Sequence, residues 1–182
     1  MQAPIFIQNY YQNKIIKNLP LTNMPKKEVV NLNEANHIGI VYYLDDDKTY
    51  RLISDFVKNL QAKDKSVKAI GFVKDKYLTK RYLPKLSYDF FYEKDLNWYG
   101  RPHGNYVDEF VRTDFDILID LSNGDVFPIR YLLSRARAKT KIGLFNEKNK
   151  ELLDLFIKTD NYSDIKLLIN QIEYYLSIIN KK

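Results

Sequence analysis

Apolar positions along this chain follow two different periods, and the way the periods alternate sets the first expectation. Residues 37–44 (HIGIVYYL) form a short β-branched and aromatic run. The segment that follows, DDDKTYRLISDFVKNLQAK, spaces Ile53, Phe56, Val57 and Leu60 at i, i+3, i+4 and i+7. The first pattern predicts a strand and the second a helix with one apolar stripe. Asp45, Asp46 and Asp47 stand where an N-cap and the positive end of a helix dipole favour negative charge. A second strand is expected at residues 67–73 (VKAIGFV). Strand, helix and strand in such quick succession make a βαβ unit, whose crossover forces the two strands to run parallel.

The same alternation continues. Residues 115–121 are apolar apart from Asp116 and Asp120, the pattern of a central strand buried on both faces. Ile129, Leu132, Leu133 and Ala136 then take helical spacing, with Pro128 acceptable in a first turn that has no internal hydrogen bond to lose. Residues 141–145 and 153–158 predict two more strands. Ile165, Leu168, Ile169, Ile172, Tyr175, Leu176 and Ile179 predict a closing helix, with Ser163 as its cap. At the other end, residues 4–19 read as a helix with Tyr11, Ile15 and Leu19 on one face, stopped by Pro20. The middle is the least regular part: DFFYEKDLNWYGRP suggests a strand or hairpin entering a loop, and a short helix over residues 106–112 buries Val107, Phe110 and Val111. The expected architecture is α/β: a three-layer Rossmann-like sandwich with a mostly parallel sheet, forming a single domain over residues 31–182 and preceded by an N-terminal helical arm, residues 1–30.

Composition narrows the chemistry more than the fold. Across 182 residues there is no cysteine and there are two histidines, His37 and His103. Structural disulfides, thiolate zinc sites, iron–sulfur clusters and a cysteine nucleophile are therefore excluded. The start, MQAPIFIQNYYQNK, lacks the charged and then apolar sections of a secretory signal, and no run approaches the roughly 20 apolar residues of a spanning helix. A cytoplasmic location without a transmembrane segment is expected. Lys and Arg exceed Asp and Glu by 29 to 23. The excess is concentrated in two stretches, residues 74–85 and residues 130–141, the latter carrying Arg130, Arg135, Arg137, Lys139 and Lys141 with no acid. Such stretches could face phosphate, but solvated surface carries them as often.

Residues 115–144, FDILIDLSNGDVFPIRYLLSRARAKTKIGL, resemble the N-terminal Rossmann-like half of the lipopolysaccharide heptosyltransferases and related GT-B glycosyltransferases. That family has a similar strand ending in Ile-Asp-Leu, a helix over small and apolar residues, a basic turn and a strand beginning Lys-Ile-Gly. The chain as a whole resembles a domain-of-unknown-function family of small Bacteroidota proteins. The glycosyltransferase resemblance implies a nucleotide-linked donor, but in that family the first strand leads into a Gly-Asp loop, whereas Leu44 here is followed by three aspartates. The family also binds its donor largely through a second Rossmann-like half, for which this length leaves no room.

Ligands of open α/β sheets bind beyond the carboxyl ends of the strands. Ser122, Asn123, Gly124 and Asp125 occupy such a place, and two readings stand: a helix cap in which Ser122 or Asp125 accepts a first-turn N–H, or a ligand site. The cap is preferred, because Asp125 would repel an anion. The three aspartates could suit Mg²⁺, but consecutive residues point apart and no second acidic motif completes the set, so no metal is expected. NWYGRPHG, residues 97–104, offers Trp98 and Tyr99 for stacking, Arg101 for phosphate and His103 for proton transfer, with Asp45 the other acid–base candidate. Equally, Trp98 could close the core. No dinucleotide fingerprint, phosphate loop, zinc motif or nucleophile elbow occurs, and no cofactor is expected. The functional expectation is a non-catalytic binding or partner-interaction module for a protein partner or small anionic ligand. The alternative is an enzyme or enzyme subunit acting on a phosphorylated or nucleotide-linked substrate, and a third reading is RNA or ribosome association through the basic stretches.

Overall fold

The computed structural model describes residues 4–18, 24–74, 87–122, 125–159 and 164–179. Within them, eleven α-helices and strands follow in the order α1 (Ile5–Lys17), β1 (His37–Leu44), α2 (Asp47–Gln61), β2 (Ser66–Val73), β3 (Tyr88–Tyr92), α3 (Asn105–Arg112), β4 (Asp114–Asp120), α4 (Phe127–Arg135), β5 (Arg137–Leu144), β6 (Leu155–Ile157) and α5 (Ile165–Ile178), with one 3-10 turn at Glu93–Asp95. The strands form one sheet in the order β3-β2-β1-β4-β5-β6, and every neighbouring pair is parallel. The chain builds outward from β1 to β3, returns past β1 to β4, and then builds outward the other way. This is the doubly wound order of the Rossmann-like folds.

A parallel sheet needs both faces covered, because its crossovers place helices there. On one face Ile38, Ile40, Tyr42, Leu44, Ile117 and Ile119 pack with the stripe Ile53, Phe56, Val57 and Leu60 of α2 and with Leu168, Ile172 and Leu176 of α5. On the other, Val41, Ile70, Phe91 and Leu118 pack with Val107 and Phe110 of α3 and Ile129, Leu132 and Leu133 of α4. Each fully buried Ile, Leu or Phe contributes about 1.5–3 kcal/mol of transfer free energy. The three-layer expectation holds, and the described sheet is parallel throughout. α2 starts at Asp46, whose carboxylate accepts the Thr49 N–H at 2.6 Å. That bond holds the carboxyl below the usual aspartate range. α5 is capped by Asp164, which accepts the Leu167 N–H at 2.9 Å; the expected cap, Ser163, lies outside the described residues.

Of the two forms expected at DFFYEKDLNWYGRP, a strand or a hairpin, the opening residues take the strand: β3 pairs parallel to β2, with Ala69 opposite Tyr88. β5 begins at Arg137, ahead of the apolar run at residues 141–145, because charged side chains there find cross-strand partners on β4. Arg137 Nε meets Asp114 Oδ1 at 2.6 Å, and Lys139 Nζ meets Asp116 Oδ1 at 2.8 Å. Residues 24–36 form an extended strap without regular structure, which buries Val30, Leu32 and Ala35. It is tied down by Val30 N–H to Thr140 Oγ1 at 2.9 Å and by the Asn31 amide donating to the carbonyls of Ser177 and Ile179.

Candidate functional site

β1 and β4 are neighbours at the centre of the sheet, with Val41 opposite Asp120, and the chain leaves them for opposite faces. The crevice that opens at such a switch point is where ligands of this architecture bind. At this rim Leu121 N donates to Val41 O at 2.9 Å, one step beyond the Val41–Asp120 pair, while β1 runs on to Leu44 before its own loop begins. Asp45 Oδ1 accepts the Thr49 hydroxyl at 3.1 Å and so helps to close the first turn of α2. Among the described residues no three His, Asp or Glu side chains gather as a metal-ligand set.

On the β4 side the functional-looking group is Asp120, which sequence reasoning passed over as a polar interruption in an apolar strand. It is 1% exposed. Its Oδ1 accepts both the Ser122 N–H at 2.8 Å and the Ser122 hydroxyl at 2.6 Å. Burial pushes the carboxyl up to about 6, against the opposing hydrogen bonds from Ser122 and the Asn149 side chain. Gly143, opposite Asp120 in β5, makes room for it: a Cβ there would stand 2.7 Å from the Asp120 Cβ. The cap expectation for this junction is overturned. The N-cap of α4 is Val126, with no side-chain bond. Ser122 turns back to Asp120 instead, and Asp125 pairs with Arg130 Nη1 at 3.1 Å and with Lys148. Asn123 and Gly124 lie outside the described residues.

The loop at residues 97–104 is braced by its own polar atoms. Asn97 Oδ1 accepts the N–H groups of Tyr99 and Arg101, Gly100 N donates to Asn97 O, and His103 N donates to Asp95 O. Gly100 and Gly104 take φ of 90° and 129°, where a side chain would be strained. Trp98 does not close the core. Its ring makes edge contacts with Tyr11 at 5.0 Å and Tyr99 at 4.9 Å between centroids, while Tyr99 stacks on Tyr11. Gln12 Nε2 donates to the Tyr99 carbonyl at 2.7 Å, tying α1 to the loop. Arg101 lies over the Tyr131 ring of α4, 5.4 Å from its centroid, and Arg135 approaches the same ring. The contacts thus sort the expected site residues into groups: Trp98, Tyr99 and Arg101 with α1 and α4, Ser122 with Asp120, and Asp45 with Thr49. The exposed imidazole of His103 is outside all three. Sequence reasoning missed the part played by α1, for which the adjacent pair Tyr10-Tyr11 was the available signal.

The basic stretch over residues 130–141 is largely engaged within the fold. Arg130 pairs with Asp125, Arg135 with the Tyr131 ring, Arg137 with Asp114, Lys139 with Asp116, and Lys141 Nζ with the Leu133 carbonyl. The other stretch, apart from Lys74, lies outside the described residues.

Fold and site together define a single-domain, doubly wound α/β protein of Rossmann-like build. The chain belongs to DUF6913, a family of unknown function whose profile spans residues 8–179. No curated protein and no solved structure matches it. No helix among the described residues is long and apolar enough to cross a membrane.

Proposed function

We propose that this protein is a non-catalytic partner-interaction module, and that its docking surface is the aromatic platform formed by α1 and the loop at residues 97–104. One observation carries the reading. Ile5, Phe6, Tyr10 and Trp98 are 74%, 73%, 60% and 50% exposed, yet Trp98 and Tyr10 are held in place through ring contacts with Tyr11. Large apolar side chains kept both ordered and wet are the raw material of interface hot spots, where rigid aromatics contribute most of the binding energy. α1, in the N-terminal arm expected over residues 1–30, supplies Ile5, Phe6 and Tyr10 to this surface, and the arm's charge points to the partner's character. The first acidic residue of the chain is Glu28, whereas Lys14 and Lys17 lie on α1, so an apolar plug rimmed by acidic side chains on another protein is the complementary shape.

The test compares partner retention by the wild-type chain, by Trp98→Ser and by Tyr174→Ser. Tyr174 is also exposed, at 60%, but sits on α5, against the opposite face of the sheet. The reading expects one acidic protein partner to be retained by wild type and by Tyr174→Ser, with at least a tenfold loss of affinity in Trp98→Ser. Equal retention by all three would overturn it, as would Trp98-dependent binding to anionic phospholipid vesicles or RNA in place of a protein.

A second reading has its own support. An acid buried at the switch point, beside the first residues of the β4–α4 loop, suits an enzyme or enzyme subunit acting on a phosphorylated or nucleotide-linked substrate. It expects a thermal shift with nucleotides or sugar nucleotides that depends on Asp120 and not on Trp98.

A further inference from the structure

Away from both places, Lys141 of β5 is 4% exposed and lines a cavity of about 230 Å³ together with Met24, Lys27, Ser134, Glu151, Leu152 and Asp154. Its Nζ donates to the Leu133 carbonyl at 2.5 Å, at the C-terminal end of α4. The carboxylate whose charge acts on it, Asp154, is committed elsewhere. Asp154 Oδ2 accepts Lys27 Nζ at 2.8 Å and the backbone N–H of Lys141 at 2.7 Å. An ammonium at Lys141 is therefore a buried cation near the exposed Lys27, and the Asp154 carboxylate that attracts it is shared with Lys27. Burial and the Lys27 charge push the amine down to about 8, with Asp154 pulling the other way. Desolvation next to another cation is the environment that turns a lysine into a nucleophile near neutral pH.

We infer that Lys141 is a covalent capture site for a small aldehyde or ketone, held in this cavity as a reversible imine. The neutral amine adds its lone pair to the carbonyl carbon, and the C=O π pair moves to oxygen. The carbinolamine then loses water, both of whose hydrogens derive from the amine, leaving C=N in place of C=O with no change of oxidation state. The volume limits the ligand to a few carbon atoms, below the range of drug-sized pockets. Met24 and Leu152 provide an apolar part of the lining.

The test exposes the folded full-length chain to limiting glyoxylate with cyanoborohydride and locates the reduced adduct by peptide mass spectrometry. The expected result is one adduct at Lys141, formed ahead of exposed lysines such as Lys58 and Lys148. Lys141→Arg, which keeps a donor for the Leu133 carbonyl but cannot form the imine, should lose the adduct. Modification of exposed lysines first, with Lys141 untouched until the chain is unfolded in urea, would overturn the inference. Because the adducts are mapped on the wild-type chain, the order of modification decides the matter even if the arginine variant folds poorly.

Discussion

Replacing Asp120 with Asn asks whether the carboxyl edge of β4 holds an acid whose ionised form the fold opposes. The side chain is buried, accepts from Ser122 and Asn149 among the described residues, and has its carboxyl raised from 3.8 to about 6. At about 1.4 kcal/mol per unit this corresponds to about 3 kcal/mol. The folded value lies above the unfolded one, so between them the folded chain binds more protons. Stability therefore falls as pH rises through the window from 3.8 to about 6 and levels off above it. Asn keeps an oxygen for the Ser122 N–H and hydroxyl and removes the charge. Its amide would face Asn149, whose Oδ1 has no hydrogen-bond partner among the described residues. About 1 of the 3 kcal/mol is already present at about pH 4.5, so the advantage of Asp120→Asn over wild type should grow by about 2 kcal/mol between about pH 4.5 and about pH 7.5. Urea unfolding of both chains across that range measures the difference, and other titrating groups cancel between them. A difference that does not change with pH would refute the reasoning. So would a variant less stable than wild type at the upper end, since the carboxylate would then be held by a positive partner.

Two further substitutions probe polar groups of opposite kind. Asp116 accepts the N–H groups of Asn36 and His37 at 2.8 and 3.0 Å as well as Lys139 Nζ, and these bonds outweigh burial and lower its carboxyl. Asp116→Ala should cost about 1–2 kcal/mol near neutral pH, with the cost shrinking as pH falls through the lowered value, read by the same urea titration. Tyr42 is wholly buried and its hydroxyl has no partner among the described residues. Tyr42→Phe should therefore leave stability unchanged or raise it by about 1 kcal/mol, and a loss above 1 kcal/mol in thermal or urea unfolding would reveal a hydrogen bond.

What could be read from the sequence was what periodicity encodes. The α2 stripe, the α5 repeat and the apolar runs of β1, β2 and β4 each state their partner surface in their own spacing, and the fold follows from their alternation. β5 was seen only from Lys141 onward, because Arg137 and Lys139 look like surface until Asp114 and Asp116 are placed beside them. The strap carrying Val30 and Leu32 has no period at all, and its hydrogen bonds run to Thr140, Leu176 and Ser177, more than 100 residues away in the chain. The site was legible as composition and not as geometry. Trp98, Tyr99 and Arg101 stood out as a group and stay one, but Tyr11 and Tyr131, which fix them, come from either side in sequence. Ser122 was assigned to the helix ahead of it, although its hydroxyl turns back to the strand behind.

That reversal bears on how the two functional readings differ. A cap at Ser122 would have spent the loop's polar atoms on α4 and left the switch point inert. With Ser122 bound to Asp120, the helix starts at Val126 without side-chain help, and a buried acid that titrates near 6 stands at the one place where the sheet topology opens a crevice. The aromatic platform is built differently: its loop consumes its own hydrogen-bonding groups in bracing the backbone and presents mainly rings and the side chains of Arg101 and His103 outward. A surface of that kind can gain affinity from apolar burial but has little with which to move protons, whereas the β4 edge has a buried acid raised to about 6. Binding lost in Trp98→Ser and kept in Asp120→Asn therefore assigns the function to the platform, and the converse pattern assigns it to the sheet edge.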